Sequence, residues 1–157
     1  MKETAWKAGR KPARGGVPNL ICIAEPLHIL AAELGRVADR ITAILPWTEL
    51  LHAVAAPDLP ALQNIAALCL SHARIEIVFS YNPDRDGRNT KLLGSVGLDN
   101  AHISKVLPPV YEQAGLKIIR IEKLANMELA QYETAWAKRL AFGRSRDIWR
   151  LIVTLLS

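Results

Sequence analysis

The stretch Leu116–Leu155, LKIIRIEKLANMELAQYETAWAKRLAFGRSRDIWRLIVTL, decides the fold. Leu116–Leu124 is an apolar run fit for a strand, residues 126–142 are mostly helical, Gly143 ends them, and Ile148–Leu155 reads as a last strand. Upstream, strands and helices alternate. Asn19–Ala24 is a short unbroken apolar run suited to a strand buried on both faces, and helical spacing follows over Ile29–Arg36. Asp39–Leu45 is the next strand, stopped by Pro46. Thr48–Val54 and Pro60–Ser71 are helical, and Arg74–Ser80 alternates into a third strand. Tyr81–Asn100, rich in Asp, Asn, Gly and Arg, reads as a long loop, and Ala101–Ala114 as a helix capped by Gly115. Five strands alternating with helices predict an open α/β sheet in a single domain.

Within the deciding stretch, Thr134–Arg150 sets Lys138, Arg139, Arg144, Arg146 and Arg150 against one acid, Asp147, and interleaves Trp136, Phe142 and Trp149. Cations neutralise phosphate and flat rings stack on bases, so the pattern suits a nucleic-acid surface. A short helix with a wet basic face and a buried Trp explains the same letters. Residues 1–14 form a second basic cluster, with Lys2, Lys7, Arg10, Lys11 and Arg14 against Glu3 alone. Within a formal charge of +5, two such clusters suggest a polyanionic partner, although a solvated surface can look the same.

Half of the residues (50%) are hydrophobic, which excludes a disordered chain. Cys22 and Cys69 sit in apolar runs and read as buried, reduced thiols rather than a disulfide or a metal site. No apolar run is long enough to cross a bilayer and the basic first residues lack a signal peptide's apolar core, so a cytoplasmic protein without a membrane partner is expected; a monomer is expected as well. His28, His52, His72 and His102 are scattered, and helix faces and ends account for them.

Three segments in order, Pro12–Asn19 (PARGGVPN), Leu45–Leu51 (LPWTELL) and Trp136–Arg144 (WAKRLAFGR), resemble the 16S rRNA (adenine-N1) methyltransferases that confer kanamycin and apramycin resistance. The resemblance runs from about Lys2 to the C-terminus. It implies a class I S-adenosylmethionine methyltransferase fold, Rossmann-like and three-layered α/β/α. It also implies that this chain is the C-terminal two-thirds of such a domain, lacking the first two strands and the glycine loop that grips the cofactor. An exposed sheet edge and low stability are then expected.

The resemblance carries roles to particular positions. Trp47 and Trp136 match the rings that sandwich a flipped adenine. Thr134 matches a small hydroxyl residue near the methyl donor and equally suits a helix N-cap. Arg146 matches a group beside the flipped nucleotide's phosphate, and Arg139 and Arg144 match contacts to neighbouring backbone. Lys7, Arg10, Lys11 and Arg14, in a basic linker over residues 1–18, match the part that docks on 16S rRNA in the 30S subunit; residues 126–146 form the target-base element. Glu25, Leu45, Pro46 and Thr48 match the cofactor wall, with His28 competing for the place of Glu25. Besides the Glu25–His28 segment, two further places depart from the family pattern. Thr48 and Glu49 stand where Gly and then Ser or Thr are usual, and Val96 stands where a basic residue can precede Gly97-Leu98, with Lys91 or Arg88 as substitutes. Without the glycine loop, the chain alone is expected not to bind S-adenosylmethionine measurably. The alternatives are a non-catalytic RNA-binding module and a decayed fragment.

Overall fold

The computed structural model describes residues 12–14, 16–17, 19–82, 86, 93 and 98–156. Four strands, β1 (Ala38–Ile44), β2 (Cys69–Ser80), β3 (Leu116–Leu124) and β4 (Ile148–Leu155), form one sheet in the order β1-β2-β4-β3. β1 runs parallel to β2, while β4 is antiparallel to both β2 and β3. The helices are α1 (Leu27–Leu34), α2 (Thr48–Ala55), α3 (Leu59–Leu68), α4 (Leu107–Gln113, entered through a π turn at His102–Val106) and α5 (Ala135–Ala141). A 3-10 segment, Asn126–Gln131, precedes α5.

Alternating side chains divide the sheet into two faces. Ile75, Ile77 and Phe79 of β2 with Trp149, Leu151 and Val153 of β4 pack on α2, α3 and α4 through Leu51, Val54, Leu62, Ile65, Leu107 and Tyr111. Tyr111 is fully buried, and its hydroxyl donates to the Val54 carbonyl at 3.0 Å, which removes the cost of burying it. On the opposite face Val78, Ile148 and Leu124 pack with Leu45 under Leu129, Ala137, Leu140 and Ala141. Three α/β/α layers are therefore present at the end of the sheet where β1 and β2 finish, as expected.

Farther along that second face the cover gives way to charge. Glu76, buried in β2, accepts from the Tyr132 hydroxyl at 2.8 Å and from Arg40 at 3.3 Å, and Arg150 pairs with Glu122. Burial and the Glu76 carboxylate raise the Tyr132 phenol above its usual range, keeping it a donor.

Four expectations are corrected. Asn19–Ala24 is not a strand: it is irregular, Ile21 is 83% exposed, and Cys22 is exposed rather than buried. A strand buried on both faces needs a ladder partner and two covering layers. Among the described residues it has neither, its Leu20 N–H donating locally to the Val17 carbonyl at 3.3 Å, and the outer edge of β1 stays unpaired. Cys69 is buried as expected, and burial pushes its thiol pKa up, away from reactivity. The second helix of the α2–α3 pair stops at Leu68 rather than Ser71, because Cys69 already pairs with Ala38 of β1. Trp149 belongs to the core, its indole N–H donating to the Leu98 carbonyl at 3.2 Å, and is not a surface ring.

The link from β1 to α2 is strained. Leu45 and Thr48 both have φ of 51°, in the left-handed region, and the Leu45 N–H is held by the Val78 carbonyl at 2.7 Å. A branched Cβ costs about 1–2 kcal/mol in that conformation, which glycine would avoid. Thr48→Gly is expected to raise stability by about 1 kcal/mol and the melting temperature by about 2–4 °C. A lower melting temperature would show that the turn is not strained by that side chain.

Candidate nucleic-acid site

β1 and β2 end, and β4 begins, at one rim of the sheet. Register fixes this: Ser80 is opposite Ile148, and Ile148 is opposite Leu124. The β1–α2 turn, the segment after β2 and the turn before β4 therefore meet, which brings Trp47, Trp136 and Arg146 together across about a hundred residues of sequence.

Trp47, 43% exposed, is the residue preceding α2, and Trp136 sits in the first turn of α5. Their ring centroids are 5.5 Å apart with planes inclined at 57°. Leu45, Pro46, Leu51, Ser80, Leu140 and Arg146 complete the lining of a cavity of only about 10 Å³ between and below them, room for roughly one water. The two rings are thus in contact, and the purine-wide slot expected from the sequence is closed. Stacking a base on both faces needs about 7–8 Å between rings, so one indole must swing outward to admit it. Trp47 is free to do so on its exposed side, and Arg139, whose guanidinium lies 5.6 Å from the Trp136 ring centroid, supports the other wall.

Thr134 is the N-cap of α5: its hydroxyl accepts from the Ala137 N–H at 3.1 Å and so fixes the turn that carries Trp136. Arg139, Arg144 and Lys138 are exposed beside Phe142, itself 74% exposed. Arg146 differs from them. Its Nη1 and Nη2 donate to the two Asp86 carboxylate oxygens at 2.9 Å each, with the two side chains only 11% and 5% exposed. Asp86 also accepts from the Asn82 N–H at 2.9 Å, so one carboxylate ties the segment after β2 to the approach to β4. Two of the five guanidinium N–H groups are used in this pair. The acid with which the sequence reading had balanced this cluster, Asp147, pairs instead with Lys123 at 2.6 Å.

Sequence reasoning missed Asp86, which lies in a polar loop and sixty positions from Arg146. It also missed Asn126. That side chain donates to the carbonyls of Leu140 at 2.9 Å and Arg144 at 3.0 Å, and accepts from the Arg146 N–H at 3.1 Å. It therefore shapes the basic turn from beneath. An Asn just after a strand was the only signal available.

Glu25 and Thr48 lie on a different, wider groove of about 920 Å³, shared with His28, Glu49 and Asn64 and bordered by Trp47. Leu45 is buried, and Pro46 with Leu45 lines the small cavity rather than that groove. Arg14 is exposed in a short 3-10 turn, Pro12–Arg14. Lys7, Arg10 and Lys11, with Arg88, Lys91 and Val96, lie outside the described residues.

Removing one partner of a buried ion pair leaves the other charge uncompensated. Asp86→Ala is therefore expected to cost about 3–5 kcal/mol in urea unfolding, and a second change, Arg146→Met, to restore most of it. A single variant as stable as the parent would show that the pair does not hold the rim together.

A family model described as NpmA, 16S rRNA (adenine(1408)-N(1))-methyltransferase, matches residues 1–154. The chain is 32% identical over 143 residues to the 16S rRNA (adenine(1408)-N(1))-methyltransferase of Escherichia coli, a match covering 90% of this chain and 65% of that protein. It thus spans just under two-thirds of that relative's length. Among solved structures, the 16S rRNA methyltransferase KamB matches with a TM-score of 0.84 at 28% identity, over 100% of this chain and 72% of the other. The aminoglycoside resistance methyltransferase NpmB1 matches with a TM-score of 0.75 at 31% identity, over 99% and 70%. The chain belongs to the 16S rRNA (adenine(1408)-N(1))-methyltransferase family.

Proposed function

We propose that this chain holds an adenine of 16S rRNA between Trp47 and Trp136 and docks its basic turn on the surrounding rRNA backbone, so that N1 of that base is methylated in the 30S subunit. The observation that carries this is the meeting of the two indoles at 5.5 Å above a cavity that Arg146 also lines. Adenine N1 bears an available lone pair, so no side chain has to remove a proton. Rate enhancement then comes from holding the base in line with the methyl group. The indoles set the plane of the base, Thr134 fixes the helix that carries one of them, and Arg146, oriented by Asp86, faces the nucleotide's phosphate. Arg139, Arg144 and Arg14, with Lys7, Arg10 and Lys11, supply the phosphate contacts around it.

S-adenosylmethionine supplies an electrophilic methyl group when bound. The described residues fit it as one wall of a site. The Glu25 carboxylate can accept from ribose hydroxyls or an adenine amine, and the groove it shares with Thr48 reaches the edge of Trp47. A second reading is favoured by one observation: among the described residues, none of the four strands runs into a glycine loop. On that reading the chain docks on the small subunit and does not methylate.

Both readings place phosphate contacts on the basic turn, so 30S binding is expected to weaken steeply with salt. Replacing Arg139 and Arg144 together should reduce the log–log salt slope by roughly 1–2. Primer extension on the same 16S rRNA then separates the readings, because N1 methylation blocks Watson–Crick pairing and stops the polymerase. A stop at one adenine that requires S-adenosylmethionine assigns methyl transfer, and binding with no stop assigns the docking module. Absent or salt-insensitive binding would contradict both.

A further inference from the structure

Two stacked walls fix the plane of a base but leave it free to rotate within that plane, since every base presents a π-face to an indole. Methyl transfer to N1 alone requires a contact to the base's edge as well. Most polar side chains of this rim are already engaged: the Thr134 hydroxyl caps α5, Arg146 is on Asp86, and Asn126 holds the basic turn. Ser80 is different. It is the last residue of β2, it lines the cavity between the indoles, and its Oγ is shielded from solvent with no hydrogen-bond partner. The other unpartnered hydroxyl of this kind among the described residues, on Tyr81, belongs to the opposite, apolar face of the sheet and does not line the cavity. A buried unsatisfied hydroxyl costs about 1–3 kcal/mol, so alanine would suit the closed cavity better.

We propose that Ser80 is a positioning residue for the target base, its Oγ accepting a hydrogen bond from the exocyclic amino group at C6 of the adenine held between Trp47 and Trp136. The inference rests on the slot reading above. The amino group is adjacent to N1 on the ring, so this one contact fixes the rotation that decides which ring nitrogen faces the methyl group. No bond is made or broken at Ser80, and no proton is transferred.

The test is a tryptophan-fluorescence titration of the full chain with adenosine and with purine riboside, which lacks the amino group. The parent is expected to bind adenosine about 2–10-fold more tightly than purine riboside, the worth of one hydrogen bond. Ser80→Ala should lower adenosine affinity to the purine riboside level and leave purine riboside binding unchanged, while Ser80→Thr, which keeps the hydroxyl, should restore the preference. Unchanged adenosine binding in Ser80→Ala would overturn the proposal and leave the slot intact. A parallel loss for both nucleosides would also overturn it, showing that Ser80 only supports the fold or a trapped water. If the parent binds neither nucleoside, the slot itself fails and this contact falls with it.

Discussion

The antiparallel ladder between β2 and β4 is the constraint on which the site depends. β4 lies between β2 and β3, so its first residue, Ile148, is fixed opposite both Ser80 and Leu124. Everything that enters β4 must cross the rim where β1 and β2 end, and α5 lands above that rim on Val78, Ile148 and Leu45. A one-residue slip would turn Trp149 out of the core and move Arg146 off Asp86. The burial of Trp149 and the bidentate pair therefore reinforce one register from two sides. Chain connectivity, rather than sequence proximity, makes one site of the β1–α2 turn and the C-terminal basic turn.

Much of this was legible in the letters because it rests on local periodicity. Leu116–Leu124 and Ile148–Leu155 are apolar runs with clear stops, and both strands have those bounds. The Trp136–Arg144 run is specific enough to indicate the family before any contact is known, whereas the Pro46-Trp47 pair alone is weak. What failed depended on neighbours. Asn19–Ala24 has the composition of a buried strand, but composition cannot supply the adjacent strand that would bury it. Trp149 stands in an alternating strand one position from Arg150, and only the pairing of that strand shows that it faces the apolar layer. Asp86 and Ser80 carry no pattern of their own: one matters through a partner sixty positions away, the other because it has no partner.

The rim is closed, and its buried arginine is charge-balanced. The indoles touch at 57°, and Arg146 is satisfied by a buried carboxylate. Both arrangements lower the cost of holding aromatic surface and positive charge at this rim. On the proposed reading, admitting a nucleotide replaces one indole–indole contact by two indole–base contacts. The strained turn at Leu45–Thr48 carries the exposed ring, Trp47.

The most direct measurement is dimethyl sulfate probing of 16S rRNA in 30S subunits incubated with the chain and without S-adenosylmethionine, since the reagent attacks adenine N1 whenever that atom is accessible. If Trp47 and Trp136 take the base, one adenine loses N1 reactivity with the parent chain and regains it with Trp47→Ala or Trp136→Ala, at concentrations where each variant still binds the subunit. Unchanged reactivity with the parent, or equal shielding by both variants, would contradict the assignment of these two rings as the walls that hold the base.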